Sequence, residues 1–200
     1  ISKINGFSWK INKIEIYSEN LKKEKVLNFG NNREELFSIV KNYELFNKLL
    51  KELKKNKFFK LKRVSKINEK KLSEDYKLII NCDPKNIISK KYFFNKISKN
   101  YNSFAYTTII NHKRFKKNNT ATQIFTKKGP LAFLPISDEK TSIVYSIRNL
   151  KEINFKNLIK KYNSKYSIIK IDKISRYELK SSNLRSYFNK NILGFGDMLH

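Results

Sequence analysis

The stretch from residue 104 to residue 147 constrains the fold most, because its apolar side chains alternate with polar ones in four short runs. The clearest is 141–147 (TSIVYSI). Ile143, Tyr145 and Ile147 fall on one side and Ser142, Val144 and Ser146 on the other, the period of two that a pleated strand imposes. Runs 104–110 (FAYTTII), 120–125 (TATQIF) and 131–136 (LAFLPI) precede it at spacings that suit hairpins. A helix would scatter these side chains around its circumference, so the pattern predicts an antiparallel sheet with one covered face.

The flanks read differently. Residues 11–17 (INKIEIY) alternate as a half-buried strand, and 26–29 (VLNF) is its expected hairpin partner. Asn32 is placed to cap a helix starting near Arg33, with Glu34 and Glu35 in its first turn. Leu36, Ile39, Val40, Tyr43, Phe46, Leu50 and Leu53 then recur at helical spacing. Residues 58–67 return to a strand-like pattern, and 76–82 (YKLIINC) reads as a buried strand ending at Asp83-Pro84. Residues 155–162 form a short helix candidate and 166–179 an extended run. Residues 181–188 fit no single pattern, and 191–195 (NILGF) is a short apolar strand entering Gly196-Asp197. Cys82 reads as a small buried hydrophobe, and His112 as a solvated residue at a strand end.

Charge narrows the functional classes. The net charge of +27 would suit a nucleic-acid binder, which concentrates Lys and Arg on one face. Here Lys is spread along the whole chain and Arg is scarce, and Lys, Asn and Ile together are what AT-rich codons supply. A basic nucleic-acid-binding domain is therefore the alternative reading. So positive a surface also suits contact with anionic lipid. With Cys82 as the lone cysteine there is no intrachain disulfide and no cysteine-based metal site, which fits a cytoplasmic setting. No window approaches a membrane span.

Three segments resemble the flavoprotein monooxygenases with the para-hydroxybenzoate hydroxylase fold, most closely the ubiquinone-biosynthesis hydroxylases. In residues 121–146 (ATQIFTKKGPLAFLPISDEKTSIVYS), Gly129, Pro130, Leu131, Ala132, Leu134 and Pro135 match a family line, and Tyr145 stands where the family often has Trp. Residues 191–200 (NILGFGDMLH) are similar to an aliphatic strand followed by Gly-Asp-Ala-Ala-His. Gly196, Asp197 and His200 match, while Met198 and Leu199 replace the alanines. Residues 78–89 (LIINCDPKNIIS) resemble the aliphatic strand before an Ala-Asp-Gly-x-x-Ser turn, with Asp83 in place and Pro84 instead of Gly. The strand–Gly-x-Gly-x-x-Gly–helix that grips the ADP half of the cofactor is not among the 200 residues.

The resemblance implies an α+β chain carrying the central portion of the two-domain FAD-dependent hydroxylase fold. Residues 1–100 and 165–200 would belong to the cofactor domain, and 101–164 to the substrate-domain sheet and its helix. It implies cofactor contacts from Asp197, Gly196 and Asp83, and a substrate pocket of Phe133, Leu134, Pro135 and Tyr145. FAD would be the cofactor, NAD(P)H and O2 the co-substrates, and a polyprenylated phenol the substrate, with peripheral contact at the inner membrane face and within a ubiquinone-biosynthesis complex. No protein nucleophile or metal is implied, since the flavin supplies the chemistry. Another phenol, or halogenase or epoxidase chemistry, remains open, as does a non-catalytic scaffold role. The chain starts at Ile1 and stops after a Gly-Asp turn, which reads as an internal fragment, expected to be inactive and to bind FAD weakly.

Overall fold

The computed structural model describes residues 8–21, 24–30, 34–148 and 153–199. Asn32, Arg33 and His200 lie outside the described residues. The chain divides into two compact units, Ile1–Phe59 with Asn102–Glu178, and Lys60–Tyr101 with Leu179–His200.

The first unit is built on the predicted sheet. Strands β1 (Ser8–Ile11), β2 (Lys13–Ser18), β3 (Lys25–Phe29) and β4 (Phe37–Val40) come first, followed by helix α1 (Asn42–Leu53). The sheet strands proper are β6 (Lys96–His112), β7 (Thr120–Thr126), β8 (Gly129–Pro135) and β9 (Lys140–Arg148). After them come helix α4 (Phe155–Tyr162), β10 (Ile168–Ile171) and β11 (Ser175–Leu184). The order is β10-β6-β9-β8-β7-β2-β3, with β11 also paired to β6; the unit boundary falls inside β6 and β11.

The four runs are antiparallel neighbours, as the alternation predicts. The sheet is nevertheless mixed, because β2 joins it parallel to β7, with Lys13 beside Thr120 and Ser18 beside Phe125. That pairing groups residues up to 59 with the sheet, and the compact units divide at 59/60, 101/102 and 178/179. The antiparallel β2–β3 hairpin is as predicted.

One face of the sheet carries the core. Ile110, Ile124, Leu131, Phe133, Ile143, Tyr145 and Ile147 pack with Phe155, Ile159 and Tyr162 of α4 and with Tyr166. The α4 residues sit four and three apart, so they share one stripe of the helix. Its start is fixed by Asn154, whose side chain accepts from the Asn157 N–H at 3.1 Å. Gly129 has φ +146° and turns the chain where a Cβ would lie 2.0 Å from the Ser146 carbonyl oxygen. The Gly of the Gly-Pro-Leu-Ala line is thus required by the close approach of β9.

The second unit holds helices α2 (Glu69–Asp75) and α3 (Ile87–Tyr92) with strands β5 (Ile79–Asn81), β12 (Phe188–Asn189) and β13 (Ile192–Gly194). Ile88, Phe93, Leu184, Ile192 and Met198 form its core.

Five expectations are corrected. The helix does not start near Arg33: β4 pairs with β1, from Ser8 opposite Val40 to Ile11 opposite Phe37, and α1 begins only at Asn42. The apolar spacing of residues 36–40 satisfies a strand as well as a helix, and backbone pairing to β1 decides it. Residues 58–67 form turns and irregular chain, not a strand. Only Ile79–Asn81 of the run 76–82 is a strand, at the edge of its sheet, and Leu78 and Ile80 are exposed. Cys82, just past that edge, is exposed too. His112 does end β6, but it is buried, with its ring nitrogens 3.0 Å from Thr141 Oγ1 and 2.9 Å from the Lys113 carbonyl. The ring also lies 4.4 Å from that of Tyr166, so aromatic packing draws it inward.

Candidate functional site

Two of the proposed motifs meet in the second unit. β13 runs parallel to β5, with Ile192 beside Ile79, Leu193 beside Ile80 and Gly194 beside Asn81. Both strands therefore end at the same level and in the same direction. Asp83 follows one end and Gly196-Asp197 the other, at the carboxyl edge where open α/β sheets place ligands. The Phe195 N–H donates to the Asn81 carbonyl at 2.9 Å, extending the pairing one step towards the turn.

Asn81 organises this edge, and the sequence reading did not single it out. Its buried amide donates to Ser89 Oγ at 2.7 Å and to Met198 Sδ at 3.0 Å, and its Oδ1 accepts from Asn86 Nδ2 at 2.6 Å. Asn86 in turn caps α3 by accepting the Ser89 N–H at 2.9 Å. Ser89 Oγ donates to the Asp83 carbonyl. The signal for this network was present: Asn81, Asn86 and Ser89 are cap-type residues clustered after an apolar run. Met198, in an alanine position of the resembled motif, is buried with its sulfur against Asn81 and Ser89. Its methyl fills space that Gly194 leaves open, since a Cβ there would lie 2.6 Å from Cε.

The groups left facing outward suit a hydroxyl-bearing ligand. Asp83 and Asp197 are both exposed; Asp83 Oδ1 accepts the Lys85 N–H at 2.8 Å, which fixes its orientation. Gly196 has φ +68°, and no atom lies within 4 Å of where its Cβ would be, so a ligand can approach that backbone. Pro84 offers no N–H at the adjacent turn. These features fit the sugar-alcohol portion of a flavin dinucleotide.

The four proposed pocket residues belong to the first unit, and they divide between its surfaces. Phe133 lines a cleft of about 470 Å³ together with Glu15, Tyr17, Phe115, Lys165 and Tyr166, among others. Leu134 points from the opposite face of the sheet and is half-buried. Pro135 and Tyr145 are enclosed in the core. The Tyr145 ring stacks on Phe155 at 6.1 Å, and its hydroxyl lies 3.2 Å from Thr126 Oγ1.

The charges around the cleft are ordered. Burial raises the Glu15 carboxyl, but Lys13, Lys25 and the Tyr17 hydroxyl outweigh it and hold the group down to about 2. Both ammonium groups lie 2.8 Å from Glu15 Oε1. Burial pushes the Lys165 ammonium below, and the Tyr166 phenol above, their usual ranges.

Among the described residues no His, Cys, Asp or Glu cluster could hold a metal ion. No helix among them is long and apolar enough to cross a membrane.

The fold is that of the FAD-dependent hydroxylases, with a largely antiparallel sheet and a strand pair that ends at the Gly-Asp turn. Solved structures share it. The p-nitrophenol 4-monooxygenase PnpA from Pseudomonas putida DLL-E4 superposes with a TM-score of 0.73 at 10% identity, over 100% of this chain and 59% of that one. The flavin-dependent halogenase CmlS gives 0.64 at 13% identity, over 96% and 42%. The 2-methyl-3-hydroxypyridine-5-carboxylic acid oxygenase gives 0.60 at 10% identity, over 96% and 58%. The chain thus spans between 42% and 59% of these proteins. In sequence, it is 32% identical over 71 residues to the mitochondrial ubiquinone biosynthesis monooxygenase COQ6 of Danio rerio, a stretch covering 35% of this chain and 15% of that protein. No protein-family model matches the chain.

Proposed function

We propose that this chain forms part of a flavin-dependent monooxygenase that hydroxylates a phenolic ring, with Asp197, Gly196 and Asp83 at the FAD. The observation that carries the reading is the parallel β5–β13 pair, which delivers both aspartates to one strand edge. The shared fold and the stretch similar to COQ6 support it. FAD, reduced by NAD(P)H, would supply the oxygen-transfer chemistry. The chain's own part is binding and orientation: the Asp197 carboxylate accepts hydrogen bonds from flavin hydroxyls, and the open backbone at Gly196 admits them. Asn81 is a positioning residue, holding the two turns together from below.

We further propose a polyprenylated ubiquinone precursor as the substrate. The half-buried apolar face carrying Leu134, Ala132 and Val144 suits such a ligand, and the basic surface suits peripheral contact with an anionic membrane.

The cofactor assignment is tested by titrating the chain with FAD and following flavin fluorescence. Saturable, weak quenching is expected, because the glycine-rich ADP grip is not in this sequence. Asp197→Asn should weaken it about tenfold, the equivalent of one charge-assisted hydrogen bond, without shifting thermal unfolding. Equal titrations of the two proteins would overturn the assignment. Product analysis with prenylated and unprenylated phenols, on enzyme carrying the glycine-rich segment, tests the substrate.

A further inference from the structure

The cleft beside Phe133 has features the flavin reading does not use. Tyr17, Phe115, Ile124, Phe133 and Tyr166 give it aromatic and aliphatic walls, with Glu15 among its polar groups, and its volume of about 470 Å³ falls in the range of small-molecule sites. Among the described residues that line it, the cation is Lys165. The ammonium lies 4.8 Å from the Phe115 ring centre and 5.3 Å from that of Tyr166. It makes no ion pair among the described residues. The nearby carboxylate, Glu15, is already held by Lys13 and Lys25.

The lysine's position is built rather than incidental. Asn163 Oδ1 accepts the backbone N–H groups of Lys165 and Tyr166 at 3.3 and 2.9 Å, and Asn163 Nδ2 donates to the Tyr166 carbonyl at 2.7 Å. The Tyr166 hydroxyl donates to the buried Asn118 at 2.9 Å, anchoring the far end of the ring. The loop therefore presents Lys165 over two fixed aromatic faces. Those faces already hold a cation, so a second cation is disfavoured. Glu15 with its two lysines carries a net positive charge, which adds to that of Lys165. A partly desolvated ammonium that forms no direct ion pair, in a cleft where aromatic walls meet a net positive charge, is complementary to a carboxylate on a flat ring.

We propose that this cleft binds a planar aromatic carboxylate, with the carboxylate on Lys165 Nζ and the ring between Tyr17, Phe115 and Phe133. The proposal does not depend on flavin binding. It is tested by calorimetric titration of the chain with naphthoate and with its neutral isostere naphthylmethanol. Naphthoate should bind at least about tenfold more tightly, with one site per chain. Lys165→Met should remove that preference, while Lys170→Met, which removes the same charge from an exposed position, should leave it intact. Equal affinity for acid and alcohol would overturn the proposal, as would equal losses in both variants, which would indicate attraction to the basic surface at large. If Lys165→Met does not fold, the acid–alcohol comparison on the unmodified chain decides the matter, together with Phe115→Ala, which should weaken both ligands by removing a wall.

Discussion

Replacing Glu19 with Ala should destabilise the sheet unit in a way that disappears in acid. Glu19 sits in a 3-10 turn after β2, and its carboxylate joins three separate parts of the chain. Oε1 accepts from the Tyr162 hydroxyl at 2.6 Å and from Lys161 Nζ at 3.1 Å, and Oε2 from the Lys127 N–H at 3.0 Å. The Tyr162 hydroxyl and the Lys127 amide, ahead of Lys161, hold its pKa at about 2 instead of the ordinary 4.5. That difference is worth at most roughly 3 kcal/mol. Water reaches the carboxylate, and screening reduces the expected loss to about 1–2 kcal/mol. A depressed carboxylate pKa contributes stability above its unfolded value and loses it as pH falls through the folded one. The gap between wild type and Glu19→Ala should therefore be full at pH 7 and should close between pH 4.5 and about 2. Urea unfolding across that range measures it. A gap that is absent at pH 7, or that keeps its full size in acid, would refute the reasoning.

Gly129→Ala should be among the most damaging single changes, costing about 3 kcal/mol or more, because the new Cβ meets backbone and no side chain can move aside; thermal unfolding checks it. Tyr145→Ala should cost about 3–5 kcal/mol by opening the core, and Tyr145→Phe only about 1 kcal/mol, so the pair read by denaturant titration separates packing from the Thr126 contact. Asn81→Leu should lose about 2–3 kcal/mol by stranding Ser89 and Asn86, and should weaken FAD binding alongside stability, whereas Asp197→Asn should affect binding alone.

The sheet was legible because its signal is local. In β9 each side chain either meets the α4 layer or turns from it, and the alternation records that choice residue by residue. Helix α4 was legible to both ends, since its apolar stripe spans only two turns. The helix around α1 was misplaced because residues 36–40 satisfy both periods, and their pairing with β1 is not written into their own order. The candidate flavin edge was half legible. Asp83 and Asp197 stood out by resemblance, whereas Asn81 looked like the end of an apolar run. Its role comes from being level with Gly194, more than a hundred positions away, which no local pattern encodes. His112 and Cys82 exchanged their expected environments for the same kind of reason: tertiary neighbours, not residue type, decided which met water.

The side-by-side union of β2 with β7 has a kinetic corollary. Strand β2 can dock on β7 only after roughly a hundred further residues have been made, a delay that costs little at equilibrium but much in search time. Until then the β2–β3 ribbon stands alone, with Val26, Leu27 and Phe29 open to solvent. Lys13 and Lys25 outnumber Glu15 on that ribbon, and the net positive charge that remains disfavours stacking against another copy of it while the chain waits.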